Sequence, residues 1–210
     1  MMPGHFITFE GGEGAGKSTQ IRHLAAALGL SGHAVTITRE PGGSPLAEAL
    51  RALLLDPAAA DRSPLAEALL FNAARADHLR HTVRPALARG DFVLCDRFAD
   101  STRAYQGAAS GVPDADLATL ERLVVGSTKP DLTVILDLPA SVGLQRAAAR
   151  AGTSKADRFE AADLNFHERL RQAFLGIAAA EPNRCVVVDA AKSETVIAAE
   201  VLAIVRARFR

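Results

Sequence analysis

The sequence predicts an α/β protein of three layers, in which helices flank both faces of a five-stranded parallel sheet. Short apolar runs alternate with longer segments of helical pattern, as expected of parallel strands joined by crossover helices. A glycine-rich loop over residues 11–19 follows the first apolar run and precedes a helical segment. Most apolar runs end in a charged residue, and a parallel sheet brings such strand ends together at the edge where ligands bind.

Five apolar runs are the predicted strands. They cover residues 6–10, 34–39, 92–96, 132–137 and 185–189. Runs of this length without polar alternation are typical of strands that are buried on both faces. The charged residues at their ends are Glu10, Arg39, Asp96, Asp137 and Asp189. We therefore expect these side chains to share one edge of the sheet with the glycine-rich loop.

Segments of helical pattern fill the intervals between the strands. They cover residues 18–30, 45–54, 64–88, 114–125, 141–150, 163–180 and 193–208. Pro45 stands at an early helical position, where a missing N–H costs little, whereas Pro85 is expected to end or kink the long third helix. The segment 150–162 is basic, rich in small residues and without an apolar stripe, and we expect it to be a mobile lid over a charged ligand.

Length and composition predict one domain over residues 1–210. A chain of 210 residues that is 49% hydrophobic can bury one α/β core and is short for two. A formal net charge of zero argues against a broad surface for nucleic acid or membrane. Cys95 and Cys185 lie in apolar runs and are expected to be buried thiols rather than a disulfide or a metal site. Since no signal-peptide pattern or long apolar run is present, we expect a cytoplasmic protein.

The glycine-rich loop matches the phosphate-binding pattern G-x-x-x-x-G-K-[ST]. Its residues are Gly11, Gly12, Glu13, Gly14, Ala15, Gly16, Lys17, Ser18 and Thr19. Glycines allow several backbone N–H groups to point at phosphate oxygens, and the following helix N-terminus adds partial positive charge. Lys17 is expected to reach the outer phosphates and Ser18 to hold Mg²⁺. The loop therefore predicts binding of a nucleoside triphosphate such as ATP.

Other candidate residues carry weaker signals. Asp96 can bind magnesium or its water shell and Arg97 can bind a phosphate, although the pair can also be a strand-end ion pair. Phe71 and Arg75 share a helix face and can hold a base, but such residues are more often core and solvated, respectively. Arg39 begins a turn over residues 39–43 that contains one proline and two glycines. It lies at the same edge of the sheet as the glycine-rich loop and can meet a second phosphate.

Six strings, taken in order, resemble the thymidylate kinases, which transfer a phosphate from ATP to thymidine monophosphate (dTMP). They are FEGGEGAGKST (9–19), TREPGG (38–43), LLFNAAR (69–75), DRFADSTRAYQG (96–107), PDLTVILDL (130–138) and DRFE (157–160). The resemblance covers residues 6 to about 160, and the ordered set is far more specific than any single string. It implies a P-loop NTPase-type fold, Mg²⁺ as cofactor, ATP and dTMP as substrates, a role in dTTP biosynthesis and a homodimer.

The resemblance also implies roles for residues that contact the acceptor nucleoside. Phe71 would stack on thymine, and Arg75 would donate to a thymine carbonyl. Thr102 would lie at the edge of the base. Tyr105 would pack under the deoxyribose, where a 2′-hydroxyl would fit poorly, and Gln106 would help to position this loop.

For the phosphates and the metal, the resemblance assigns a second set of residues. Arg97 and Arg39 would hold the acceptor phosphate, and Glu10 would lie near the sugar or the water shell of the metal. Ser18 and Asp96 would serve the metal. Adenine would lie between the helix that leads to the lid and the loop after the last strand.

The lid is the part for which the chain departs most from the family pattern. Gly14 stands where some members carry an arginine, and bacterial-type members of this kind supply the cation from the lid. The candidates are Arg150, Lys155 and Arg158; we expect Arg150 and Arg158 to be catalytic together with Lys17 and Arg97. A run of charges in a lid is otherwise often a solvated face. Arg103 stands at an unusual place, and the sequence gives no account of it.

The reaction implied by the resemblance needs no general base, because the acceptor is already a phosphate oxyanion. In-line positioning and neutralisation of charge remain for the protein to supply. Two alternatives are a kinase for another nucleoside or nucleotide on the same scaffold and a nucleotide-dependent switch with slow hydrolysis. The paired Phe71 and Arg75 argue against the first, and the sequence offers no clear water-positioning residue for the second.

Overall fold

Five strands form one parallel sheet in the computed structural model, which describes residues 4–56, 58, 61–151, 159 and 162–209, with only the backbone at 150 and 151. The strands are β1 (His5–Glu10), β2 (Val35–Arg39), β3 (Phe92–Asp96), β4 (Leu132–Asp137) and β5 (Cys185–Asp189). Their order is β2-β3-β1-β4-β5, and every neighbouring pair is parallel. The predicted α/β sheet is confirmed, and each strand begins and ends within one residue of its predicted bounds.

Nine α-helices flank this sheet in the described part of the chain. They are α1 (Lys17–Leu30), α2 (Pro45–Leu55), α3 (Pro64–His78), α4 (Arg84–Ala88), α5 (Ala99–Thr102), α6 (Asp114–Val124), α7 (Ala140–Ala151), α8 (Leu164–Ala180) and α9 (Glu194–Arg208). Six of the seven predicted helices are confirmed to within one residue at each end. The short α5 and the π-helical turn Arg103–Ala108 after it were not predicted.

The predicted helix over residues 64–88 is not continuous. A π-helical turn, Leu79–Val83, separates α3 from α4. Pro85 lacks the N–H that would bond the carbonyl of His81, and its ring crowds that carbonyl. The wider turn just before the proline relieves this conflict, so the expected interruption is confirmed in the form of a π-turn.

The core lies on both faces of the sheet because successive strand residues point to opposite sides. On one face Ile7 and Phe9 of β1 pack with side chains of α1 and α9. On the other face Phe6 packs with residues of α4, α5 and the π-turn before α4. Cys95 and Cys185 are buried free thiols, as expected. None of the helices in the described ranges has the length and apolar character needed to cross a membrane.

Candidate active site

A cavity of about 480 Å³ opens at the carboxyl edge of the sheet, beside the ends of β1, β2 and β3. Its walls come from the glycine-rich loop, from the segments after β2 and β3, from α3 and from Phe159. The predicted site residues that line it are Glu13, Gly14, Gly16, Lys17, Ser18, Thr19, Arg39, Phe71, Asp96, Arg97, Thr102, Tyr105 and Gln106. Of the five charged strand ends, Arg39 and Asp96 line this cavity, whereas Asp137 and Asp189 are not among its lining residues. Glu10 and Arg75 are buried next to the cavity but do not line it.

The phosphate-binding loop connects β1 to α1 through three glycines with positive φ. These angles are 131° at Gly11, 66° at Gly14 and 93° at Gly16, a region that other residues rarely adopt. Gly16 directly precedes α1, and no side chain caps the first turn of that helix. The backbone N–H groups at this helix start are therefore directed at the cavity, where the helix dipole favours an anion.

Lys17 folds over the loop rather than into solvent. Its Nζ donates to the carbonyl oxygens of Gly11 at 3.1 Å and Gly12 at 2.9 Å. Burial, together with the nearby Arg97, lowers the pKa of this ammonium. The loop thus holds a cation in place next to the N–H groups that can bind phosphate oxygens.

Ser18 and Asp96 meet at the junction of β1 and β3. The parallel register pairs Phe9 with Asp96, which brings the end of β3 beside the loop. The Ser18 hydroxyl donates to Asp96 Oδ2 at 2.5 Å. Hydroxyl and carboxylate oxygens are hard ligands that suit Mg²⁺. Among the described residues no three His, Cys, Asp or Glu side chains cluster as a metal site.

Arg97 adopts a left-handed backbone conformation with φ 68°, which is uncommon for a residue other than glycine. This turn directs its guanidinium into the cavity. Nη1 donates to Gly11 O at 3.1 Å and to Ser101 Oγ at 3.2 Å, and Nη2 donates to Glu13 Oε1 at 2.6 Å. The guanidinium carbon also lies 5.0 Å from the centre of the Tyr105 ring.

Glu13 reaches from the phosphate-binding loop toward the opposite wall. Its Oε1 accepts from Arg97 and, at 2.9 Å, from the Tyr105 hydroxyl. Burial opposes its ionisation, but Arg97 and Lys17 outweigh this and lower the pKa of Glu13 to about 2. The sequence placed Glu13 only among the loop residues that bind ATP. An acidic residue is unexpected in a loop that binds anions, and this could have predicted that Glu13 has a role other than phosphate binding.

Glu10 is buried and supports the segment after β3. It accepts from the backbone N–H of Phe98 at 2.7 Å and from the Ser101 hydroxyl at 2.6 Å. Burial and the charge of Asp100 raise the pKa of Glu10 to about 7. Its contact with a sugar or with the water shell of a metal stays a prediction.

Arg75 is buried beside the cavity in a network of hydrogen bonds. Its Nε donates to Glu40 Oε2 at 2.8 Å, and its Nη2 donates to Thr102 Oγ1 at 2.9 Å. Nη1 donates to Asn72 Oδ1 at 3.2 Å, and Nη2 also bonds the carbonyl of Phe98. These four bonds occupy four of the five N–H donors of a guanidinium. The fifth donor, on Nη1, is the one through which Arg75 would reach a base carbonyl.

Aromatic rings form one side of the cavity. The ring centres of Phe71 and Phe159 lie 6.4 Å apart, and those of Tyr105 and Phe159 lie 5.2 Å apart. Thr102 lines the same cavity. A wall of ring faces and edges with a hydroxyl at its border suits a planar base and its sugar.

The remaining predicted residues lie at the rim or outside the described part of the chain. Arg39 is half exposed and pairs with Glu48, with Nη2 2.9 Å from Oε1. Gln106 Nε2 donates to Glu67 Oε2 at 3.0 Å, which holds the π-helical turn after α5 against α3. Neither the side chain of Arg150 nor Lys155 or Arg158 falls within the described residues.

Arg146, one of the basic residues that bracket the predicted lid, and Arg103, which the sequence leaves unexplained, both have clear partners. Arg146 of α7 donates from Nη1 to the carbonyl of Ala190 at 3.0 Å, so α7 and the loop after β5 lie side by side. Arg103 donates to Asp100 Oδ1 at 3.1 Å and to Glu181 Oε1 at 2.5 Å. Arg103 thus ties the segment after β3 to α8.

Comparisons with known proteins agree over most of the chain. A family model described as thymidylate kinase matches residues 9–201. A thymidylate kinase from Caulobacter vibrioides is 62% identical over 190 residues, which cover 90% of each chain, and one from Nitrobacter hamburgensis is 53% identical over 99% of this chain and 90% of its own. The crystal structure of thymidylate kinase from Ehrlichia chaffeensis superposes with a TM-score of 0.77 at 33% identity, covering 97% of this chain and 100% of that one. The predicted P-loop NTPase-type fold is confirmed by this likeness.

Proposed function

Because this chain belongs to the thymidylate kinase family and phosphorylates dTMP to dTDP with ATP as donor, we propose that the cavity at the sheet edge is its catalytic site. The observation that supports this assignment best is the set of residues that line the cavity. They are the phosphate-binding loop with Lys17, the guanidinium of Arg97, which bonds Gly11 and Glu13 of that loop, and the rings of Phe71 and Tyr105. A donor polyphosphate on the loop and an acceptor nucleotide against the rings would therefore bring their phosphates together near Arg97.

The protein then contributes to phosphoryl transfer by positioning the two substrates and by neutralising the charge of their phosphates. The N–H groups of the loop and Lys17 grip the donor phosphates, and Arg97 holds the acceptor phosphate in line. Glu13 gives up its pairing with Arg97 when an acceptor phosphate takes that place. Ser18 and Asp96 would hold Mg²⁺, which supplies charge neutralisation between the donor phosphates when bound. The acceptor oxyanion attacks directly, so no side chain needs to remove a proton.

The acceptor nucleoside occupies the aromatic side. Phe71 stacks on thymine, and the free Nη1 donor of Arg75 and the Thr102 hydroxyl meet the edge of the base. Tyr105 packs under the deoxyribose, and Gln106 keeps that turn in place through Glu67. Glu10 accepts from the N–H of Phe98 and from the Ser101 hydroxyl and so holds the segment after β3 at the acceptor side of the cavity, near the sugar or the water shell of the metal. Arg39 provides a second cation at the rim for the acceptor phosphate.

The donor base lies between α7 and the loop after β5, and a lid over residues 150–162 closes the site. The bond from Arg146 to Ala190 supports this position, because it brings those two segments together. Arg150 and Arg158 supply the cations for the transferring group.

Residues 1–210 act as a single domain of the nucleoside monophosphate kinase type. The reducing cytoplasm suits its two buried free thiols.

The functional unit is a homodimer formed through α2 and α3. Leu46 and Leu53 are exposed on one face of α2, and Leu65 and Leu69 are exposed on one face of α3. These residues are spaced seven and four apart, so each pair shares a helix face. The two helices pack against each other, and we infer that the four leucines together form the interface.

The experiment that tests the assignment measures ADP release from Mg-ATP with dTMP, dUMP, UMP, CMP, AMP, GMP or no acceptor. We expect a strong rate with dTMP, a weaker rate with dUMP and almost none otherwise. A broad response to other monophosphates would favour a kinase of different specificity. A rate that is independent of any acceptor would instead indicate a hydrolytic switch.

A further inference from the structure

Helix α7 begins in direct backbone contact with the phosphate-binding loop. Gly143 lies in its first turn, where its N–H donates to the carbonyl of Pro139 at 3.0 Å. A Cβ atom placed on Gly143 would collide with the carbonyl oxygen of Glu13, and one placed on Gly14 would collide with the carbonyl oxygen of Gly143. The atoms met on both sides belong to backbone, which cannot rotate away as a side chain can.

The backbone conformation of Gly143 does not itself require glycine. Gly14 has φ 66° and would resist a side chain for that reason alone, whereas Gly143 is absent from the positive-φ glycines and is helical. Alanine is the better helix former at such a position. The close approach of the loop is therefore the physical reason for a glycine at this point of α7.

The contact joins two parts of the proposed catalytic site. The Glu13–Gly14 peptide is at the centre of the loop that would bind the donor phosphates, and the Glu13 side chain holds Arg97. The other end of α7 leads into the segment predicted to be the lid. We propose that Gly143 is a positioning residue for the donor: the first turn of α7 backs the phosphate-binding loop and fixes where its N–H groups point. This inference rests on the proposed function of the cavity.

The test compares Gly143→Ala with Gly176→Ala and Gly29→Ala. The two controls add the same methyl group to helical glycines that have open space at that position. We expect Gly143→Ala to weaken calorimetric binding of ADP at least tenfold and to lower kcat/KM for ATP at least tenfold. Affinity for dTMP should fall less than affinity for ADP, because the displaced peptide reaches the acceptor side only through the Glu13 side chain and its bonds to Arg97 and Tyr105. Both controls should match the wild type in every one of these measurements.

Thermal unfolding separates positioning from a general loss of structure. Since alanine favours the helix and so offsets part of the cost of the collision, the melting temperature of Gly143→Ala should stay close to that of the wild type, below that of the controls. ADP binding within twofold of wild type, or a parallel loss of ADP and dTMP affinity with early melting, would overturn the proposal. If Gly143→Ala does not fold, Gly14→Ala probes the same contact from the loop side, and wild-type ADP affinity in that variant would equally overturn it. ADP binding does not depend on which acceptor is used, so failure of the proposed acceptor specificity would be seen separately.

Discussion

Arg97 holds a left-handed backbone conformation at φ 68°, and such a conformation costs a non-glycine residue roughly 1–2 kcal/mol. The contacts of the side chain explain why the strain is tolerated. Its guanidinium bonds Glu13, Gly11 and Ser101 and lies over the Tyr105 ring. A planar fork of donors in the lining of the cavity is suited to two oxygens of a phosphate.

Replacement of Arg97 should therefore affect turnover more than folding. Arg97→Ala is expected to lower kcat by at least about 10²-fold, as found for other groups that stabilise charge in a transition state, and Lys17→Ala should do the same. Arg97→Lys keeps the charge but loses the fork, so its loss should be smaller. Steady-state kinetics with dTMP checks this, with Arg84→Ala as control, because Arg84 bonds Thr128 and lies away from the cavity. A near-normal kcat in Arg97→Ala would remove that residue from the mechanism.

The depressed pKa of Glu13 predicts a pH dependence of stability. Its pKa is about 2 in the folded protein against 4.5 for an ordinary glutamate, so the folded state binds fewer protons between these values. The stabilisation is fully present above pH 4.5 and is lost as the pH falls toward 2. Glu13→Gln should lack this contribution, so the difference in unfolding free energy between wild type and variant should shrink as the pH is lowered. Urea unfolding from pH 6 down to the lowest pH at which both proteins fold measures it, and a constant difference would contradict the prediction.

Short sequence motifs predicted the roles of some residues of the cavity but not the pairings between residues that are far apart in the chain. Lys17 and Ser18 follow from a contiguous motif whose residue types are fixed by phosphate chemistry. The partnership of Glu13 with Arg97 joins residues 84 positions apart, and that of Glu40 with Arg75 joins residues 35 apart. Such pairings are set by strand order and register, which a single sequence does not specify.

At the scale of elements, the segment after β3 is held by a charge network that spans the sheet. Asp100 of α5 accepts from Arg184 in a bidentate pair, with Oδ2 2.7 Å from Nη1 and Oδ1 2.8 Å from Nη2. Arg184 also bonds Thr133 of β4 and Glu181, and Arg103 bonds Asp100 and Glu181. Since Ser101 and Thr102 directly follow Asp100, the network fixes two side chains of the cavity.

Breaking this network should destabilise the protein. Arg184→Ala leaves the buried carboxylate of Asp100 with Arg103 and the Thr133 hydroxyl among the described residues. We expect a loss of about 2 kcal/mol in unfolding free energy, less than for a fully buried pair because Arg184 is partly exposed. Asp100→Ala combined with Arg184→Ala should cost less than the sum of the single variants. Urea unfolding measures all three, and Arg208→Ala is the control because that arginine is exposed. Additive effects would show that the two residues are not coupled.

Helices and strands were predictable where the pattern of apolar residues is long and where a residue that caps a helix marks its first turn. Helix α8 begins after Asp163, which accepts from the N–H of Phe166 at 2.7 Å, and α3 begins after Ser63, which accepts from that of Ala66. The turns Leu79–Val83 and Arg103–Ala108 were not predicted as π-helical. Pro85 marks an interruption close to Leu79–Val83 but does not specify its π-helical form, and no proline marks Arg103–Ala108.

At the scale of the whole molecule, α2 and α3 expose four leucines at the surface where we propose the homodimer forms. Leu46 is 53% exposed, Leu53 43%, Leu65 45% and Leu69 49%. Adjacent exposed leucines on two packed helices form the kind of surface that marks a protein interface. The same helix α3 carries Phe71 and Arg75, so an interface on its outer face would also steady the wall against which we expect thymine to bind.

Substitution of one leucine on this face should separate the proposed homodimer. Leu69→Glu places a charge in the apolar contact, and we expect the molar mass from light scattering to fall to half of the wild-type value. Leu30→Glu is the matched control, because Leu30 is 92% exposed at the end of α1 and its replacement should leave the mass unchanged. KM for dTMP should rise in Leu69→Glu and not in Leu30→Glu, since only the former loses support for α3. A monomeric wild type, or a dimer that persists in Leu69→Glu, would rule out α3 as the interface, whereas a lower mass for Leu30→Glu would move it to the end of α1.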